Sequence, residues 1–380
     1  SGLKSINISS VESWCKIDGL YNLMNYVSSE KKLYLNGEII KQLVIPDGVD
    51  SIAAYAFYKC SQPLSIVLSD SVTSIGTGVF DKCIGLISIT IGNGITSISD
   101  NLFAGCSGLK SIIIPNSVTL IGDSAFENCI GLTNVTIPDS VVSIGDSAFA
   151  ECSGLTSVII GSEVTSIGNS AFYNCSNLIR ITIPDNVTSI GNYAFYNCAG
   201  LTSVIIGSGV TSIEHDAFNS CIGLKSVIIP DNITLIGGNA FRNCSGLINV
   251  TMGSGVTSIG GSAFDGCESL TNVYIANIGS WCGIDGLYSL MSIGKKNLYL
   301  NGALLTDLII PENVYSIASS AFYYSGITSV TIKSEFITIG REAFSECNEL
   351  TKVSLRYGVQ SIGVRAFNDC NRLISINIPG

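Results

Sequence analysis

Residues 132–152 read Leu-Thr-Asn-Val-Thr-Ile-Pro-Asp-Ser-Val-Val-Ser-Ile-Gly-Asp-Ser-Ala-Phe-Ala-Glu-Cys, and this one stretch decides the fold. Val135 and Ile137 alternate at the strand period, with Thr136 between them facing the other way. With Leu132 ahead of them they make a short strand with one apolar face. Pro138, which has no N–H to give to a ladder, ends it. Val142 and Ile144 form a second apolar pair and Gly145 allows a turn. Asp146 is placed to cap a short helical turn carrying Ala148 and Phe149. Phe149 and Cys152 then close the unit.

The unit recurs. Phe57, Phe80, Phe103, Phe126, Phe149, Phe172, Phe195, Phe218, Phe241 and Phe264 follow one another at a spacing of 23 without slippage. A fixed period of this size is a repeat architecture. Around each Phe the pattern is Leu-x-x-Ile/Val-x-Ile, then Pro or Gly, then approximately Ser-Val-Thr-Ser-Ile-Gly-x-x-Ala-Phe-x-x-Cys. Pro138, Pro184 and Pro230 alternate with Gly161, Gly207 and Gly253 at the strand end, as if the array grew by duplicating pairs. Composition agrees: 46% of the 380 residues are hydrophobic and only 13% charged, with 40 Gly and 8 Pro. A stack of short units can bury that much apolar surface at any length, whereas one globular core of this size would split.

The pattern resembles the BspA-like class of leucine-rich repeats, and the resemblance covers nearly the whole chain. It implies an α/β solenoid, a right-handed curved rod with short parallel strands on its concave face and short helical turns opposite. It also implies a secreted or surface-attached protein that works by adhesion.

The regular run breaks twice in the same manner. Ser13-Trp14-Cys15 with Ile17-Asp18-Gly19-Leu20-Tyr21 is matched by Ser280-Trp281-Cys282 with Ile284-Asp285-Gly286-Leu287-Tyr288. Leu33-Tyr34-Leu35-Asn36-Gly37 and Leu298-Tyr299-Leu300-Asn301-Gly302 follow, and Asn-Gly is a strong tight-turn signal. Each insert therefore reads as a short helix packed on the array and a hairpin that rejoins it. The organisation expected is one solenoid over 1–380, with inserts at 10–39 and 276–304, a regular array at 40–275 and further repeats at 305–380. Leu3, Ile6 and Ile8 open on an incomplete unit, and Leu373, Ile376, Ile378 and Pro379 close on another. Neither end carries the polar cap that a solenoid needs, so the chain reads as a piece of a longer array.

The fourteen cysteines invite a disulfide ladder or a metal site. Twelve share the repeat position, from Cys60 to Cys267 and then Cys347 and Cys370. Stacked units would place their Cα atoms about 4.8 Å apart, within disulfide reach, but with Cβ vectors running parallel rather than facing. No Cys-x-x-Cys pair exists to start a zinc site. Buried free thiols packed as small apolar groups are the reading preferred, with Cys15 and Cys282 left open. The single His215, flanked by Glu214 and Asp216, lacks a nucleophile in sequence, and no phosphate loop or nucleophile elbow occurs. No enzyme, cofactor or metal is expected.

Function should therefore lie in surfaces. A net charge of −10 opposes nucleic acid and anionic membranes. No apolar run is long enough for membrane insertion, and the chain is expected as a monomer. The outward strand positions form a nearly uncharged face on which Thr136, Ile159, Arg180, Thr182, Ile205 and Tyr274 are candidate partner contacts. Trp14 and Tyr21, with Trp281 and Tyr288, are candidate anchors in the inserts; glue between insert and array is the alternative for these aromatics. The expected role is a binding scaffold for a protein or glycan ligand on host or neighbouring cells. A structural spacer and a carbohydrate-binding module are the alternatives.

Overall fold

A computed structural model describes residues 3–25, 31–62, 64–356 and 358–377. Ile378 and Pro379 of the expected final strand lie outside the described residues. The chain forms two compact units, Ser1–Leu201 and Thr202–Gly380, and each is a parallel-strand solenoid.

In the first unit Ser111–Ile113, Asn134–Thr136, Ser157–Ile159 and Arg180–Thr182 are successive strands of one parallel ladder. Asn134 pairs with Ser157 and Thr136 with Ile159, an offset of one whole repeat. A second ladder runs beside it, made of dipeptides such as Ser143–Ile144 and Ser166–Ile167 in the same register. The second unit repeats the arrangement in Ser226–Ile228, Asn249–Met252 and Asn272–Ile275, with Leu235–Ile236 and Ser258–Ile259 in its second ladder.

The core of one coil is Leu132, Val135, Ile137, Val141, Ile144, Ala148, Phe149 and Cys152, each at most 2% exposed. Two expectations are corrected here. Val142 is 47% exposed and Val141 takes the buried place, because the Val141 N–H turns back to the Pro138 carbonyl and swings its side chain inward. Asp146 does not cap its own turn. Its Oδ1 accepts from the Asn169 N–H of the next coil at 2.7 Å, just as Asp123 serves Asp146 and Asp100 serves Asp123.

The segment after Asp146 is a chain of turns rather than a helix. Ser147 and Glu151 adopt left-handed φ angles of 54° and 60°, which a helix excludes. Alternate N–H groups consequently point out of the coil: Ser147, Phe149 and Glu151 donate to Asn169, Ala171 and Tyr173 of the next coil, while Ala148, Ala150 and Cys152 bond locally. All these backbone donors are satisfied. Side by side along the first unit, Phe57 to Phe195 stack with ring centroids 5.0–5.6 Å apart. Gly161 shows why Pro and Gly alternate: a Cβ there would lie 2.4 Å from the Pro138 carbonyl oxygen of the preceding coil.

All fourteen cysteines are free and buried, Cys15 and Cys282 included. Most ladder thiols donate to the carbonyl of the Phe one coil back, as Cys152 Sγ does to Phe126 at 3.1 Å and Cys175 Sγ to Phe149 at 3.2 Å. Burial pushes the Cys152 and Cys282 thiols up to about 12 and Cys15 up to about 11. They are protonated, unreactive packing groups in the folded chain.

The inserts hold two short helices each, one more than expected. The first has Val11–Cys15 and Leu20–Asn25; the second has Ile278–Cys282 and Tyr288–Met291. Ser10 and Asn277 cap the leading helices by accepting from the N–H groups of Ser13 and Ser280. After the helices the chain returns to the ladder, Lys32–Leu35 pairing parallel with Ser5–Ile8 and Asn297–Leu300 with Asn272–Ile275. Asn36-Gly37 and Asn301-Gly302, all at positive φ, then make the expected tight hairpins. The returning strands Glu38–Ile39 and Ala303–Leu304 take the ladder edge, and a new ladder starts at Gln42–Ile45 and at Asp307–Ile310. In the first unit the Gln62 side-chain amide bonds both the N–H and the C=O of Leu33 at that break.

Candidate functional site

The strands Ser111–Ile113, Asn134–Thr136, Ser157–Ile159 and Arg180–Thr182 each alternate exposed, buried, exposed, so two columns of side chains face outward. In the first unit one column holds Ser111, Asn134, Ser157 and Arg180, and the other holds Ile113, Thr136, Ile159 and Thr182. Ladder pairing brings these residues together one strand apart, roughly 4.8 Å. Ile113 is 78% and Ile159 60% exposed. Together with Thr136, Asn116, Pro138 and Asp139 they border a groove of about 500 Å³ along the strand ends. Arg180 brings the first charge to the column.

Ile205 and Tyr274 belong to the second unit and are described there. Ile205 is 60% and its neighbour Ile228 65% exposed. Tyr274 is half-buried and stacks on Tyr299, 4.7 Å between centroids. Tyr299 was not picked out from sequence as a surface residue; the signal available was its place in the strand Asn297–Leu300, directly opposite Tyr274.

Trp14 and Trp281 point inward. Trp14 is 6% and Trp281 1% exposed, and their indole N–H groups donate to the carbonyls of Ala56 at 3.0 Å and Ala321 at 2.8 Å. The carbonyls of Cys15 and Cys282 accept from Ala53 and Ala318, so each helix is pinned to the array at two points. The indoles are buried fasteners, and the inserts present tyrosines to solvent along with aliphatic residues such as Ile17 and Leu23. Tyr21 is 43% exposed and packs against Tyr55 at 4.6 Å, while Tyr288 is 56% exposed and lies 5.9 Å from Tyr323. Trp281→Phe keeps the packing but strands the Ala321 carbonyl, so unfolding free energy should drop by about 1–3 kcal/mol. A denaturant midpoint unchanged from the parent would show that the bond contributes nothing.

Glu214 accepts from the Ser212 hydroxyl at 2.6 Å, and the buried Asp216 accepts from Asn219 at 2.7 Å. Asp216 also accepts from Asn239 one coil on, at 3.4 Å. Among the described residues no group of three or more His, Cys, Asp or Glu side chains is placed to hold a metal ion, and no helix is long and apolar enough to cross a membrane.

The BspA type leucine rich repeat region matches in six copies, over residues 29–156, 108–223, 142–271 and 289–380. A leucine-rich repeat protein from Bacteroides ovatus is similar in structure, at 27% identity and a TM-score of 0.64, covering 88% of this chain and 86% of its own. A leucine rich cell surface protein from Faecalibacterium prausnitzii is 27% identical over 83% of this chain and 87% of its own, with a TM-score of 0.45. No curated protein is significantly similar in sequence. The repeat register, the coil geometry and a family match that runs through most of its length together make the chain a member of the BspA-type leucine-rich-repeat family.

Proposed function

We propose that the chain is a non-catalytic binding scaffold of a secreted or surface-attached protein, and that it engages a protein ligand of a host or neighbouring cell through the exposed strand face of the first unit. The observation that carries this reading is the row Ile113, Thr136, Ile159, with its isoleucines 78% and 60% exposed on a rigid ladder. Threonine suits a solvent-facing strand as well as isoleucine does, so the strand itself does not require large aliphatic groups held in water. Contiguous apolar groups on a regular sheet are what a partner surface can cover. Solenoids bind by extended faces of this kind, and the family resemblance supports the surface location and the adhesive role.

The test is binding to immobilised extracellular-matrix proteins and mucins, comparing the parent with a variant carrying Ile113→Asp and Ile159→Asp. Both substitutions sit on exposed positions, so circular dichroism should be unchanged. The variant is expected to bind about tenfold or more weakly, because each carboxylate would be desolvated in the interface. Failure of the parent to bind any of these surfaces, or equal binding by the variant, defeats the reading.

A further inference from the structure

The turn edge of the first unit carries two clusters of three tyrosines, separate from the strand face. Tyr-Ala-Phe-Tyr occurs at 55–58 and again at 193–196, six repeats apart and so roughly 30 Å along the stack. In both, the leading tyrosine has a left-handed backbone, φ 62° at Tyr55 and 57° at Tyr193. Ser124, Ser147 and Ser170 stand at the same place in other coils. A bulky residue in that conformation is strained, and burial does not compensate at Tyr193, which is 42% exposed.

The clusters reach the same composition by different routes. Tyr55 meets Tyr58 edge-on at 5.6 Å, and the third ring is Tyr21 from the insert, 4.6 Å from Tyr55. Tyr193 tilts against Tyr196 at 5.9 Å, and the third ring is Tyr173 from the preceding coil, stacked on Tyr196 at 5.1 Å. Planar polar groups are fixed beside each. At the second cluster Asn197 donates to Asn174 at 2.8 Å and Asn174 to Glu151 at 2.7 Å. At the first, Asn25 donates to the Tyr21 hydroxyl at 3.0 Å and accepts from Lys59 Nζ at 2.8 Å. Elsewhere the residue after the ladder cysteine is often an exposed isoleucine, as at Ile84 and Ile130, but beside the second cluster it is Ser153, Ser176 and Ala199.

Tyr21 and Tyr193 keep exposed ring faces, bordered by oriented amides and, at the second cluster, by the Glu151 carboxylate; such faces suit a ligand that is apolar on one side and hydroxylated at its rim. That is the chemistry of a pyranose. A protein hot spot would mix the rings with aliphatic side chains in a desolvated pocket, whereas the second cluster is bordered by Ser153, Ser176 and Ala199. We propose that the two clusters are subsites for a polysaccharide of neutral hexopyranose units, lying along the turn edge and reaching both. The second contact is then intramolecular, and a chain long enough to touch both clusters binds far more tightly than a short one.

The experiment uses the whole chain and titration calorimetry with cellohexaose, maltohexaose and mannohexaose, their disaccharides, and the corresponding soluble polymers. At least one polymer is expected to bind, with its disaccharide weaker by at least about tenfold. Tyr193→Ala and Tyr21→Ala should each weaken polymer binding about tenfold, and together abolish it. Tyr193→Trp should keep it, and the variant carrying Ile113→Asp and Ile159→Asp should bind the polymer like the parent, which separates this surface from the strand face. Absence of binding to every probe at millimolar concentration overturns the proposal. So does polymer binding that both tyrosine variants leave intact, or a result in which they weaken only the protein ligand.

Discussion

Raising the pH from 7.5 to 10 with reductant present is expected to unfold the chain at far lower denaturant concentration. Cys15, Cys106, Cys129, Cys152, Cys175 and Cys282 all have thiols pushed up by burial, whereas a cysteine in the unfolded chain titrates near 8.5. Their folded values lie above their unfolded ones. Their contribution is therefore fully present below about 8.5 and is lost as pH rises from there toward the folded values. Each thiol withdraws about 1.4 kcal/mol per pH unit in that window, so the six together withdraw about 8 kcal/mol per unit, comparable to the whole stability of a domain. Lys296 works the other way. It is fully buried, its ammonium donates to the carbonyls of Ile293 and Gly294, and burial lowers it to about 8. Its contribution to stability rises with pH between about 8 and 10.4, and Lys31 and Cys347, both lowered, act in the same direction, but these three groups are outnumbered by the six. Guanidinium melts at pH 7.5, 8.5, 9.5 and 10 measure the slope. Serine in place of Cys106, Cys129, Cys152 and Cys175 should flatten it, and the ladder position tolerates a hydroxyl, since Ser325 occupies it naturally at 1% exposure. A midpoint independent of pH in the parent would refute the account.

Phe149→Ala should be the most damaging single substitution of a ladder residue in the first unit. The ring is fully buried between Phe126 at 5.0 Å and Phe172 at 5.3 Å. Truncation removes about 3–5 kcal/mol, and a solenoid feels it on both sides, because each coil contacts only its neighbours. The left-handed turns around the site hold the backbone and limit collapse into the void. Phe149→Leu keeps most of the volume and should cost less than half as much. Denaturant melts of the two variants give the comparison. Equal losses would mean that the stack contributes through ring geometry, because leucine restores most of the volume and none of the stacking.

The period, the strand faces and the Asn-Gly hairpins were legible because each rests on a local rule: alternation, a missing N–H, a positive φ. The failures have local causes too. Val142 and Ile144 fit the strand alternation, and only the turn closed by Val141 and Pro138 decides that Val141 goes inside. Asp146 has the right residue type for a helix cap, but the same oxygen serves equally well as an acceptor for the next coil, and sequence does not say which donor arrives. The tryptophans carried both readings, an interface anchor and an internal fastener, until Ala56 and Ala321 were seen to receive their N–H groups. The tyrosine clusters depend on residues six coils apart adopting one conformation, a regularity visible only once the left-handed positions are known.

The bonds between coils join residues about one period apart, from the Asp146 to Asn169 contact to the Cys152 to Phe126 contact. A gene encoding such a chain can change length by one codon only where a turn or a bulge absorbs it, as in the coil from Asp307 to Ser329, one residue short of the period. Larger lengthening comes as whole coils or as material looped out where the ladder does not see it. The inserts take the second course: Lys32 still meets Ser5 and Asn297 still meets Asn272, although more residues than one period lie between them. Length in this protein is a counted quantity, and the two inserts mark where surplus sequence can be stored without losing the count.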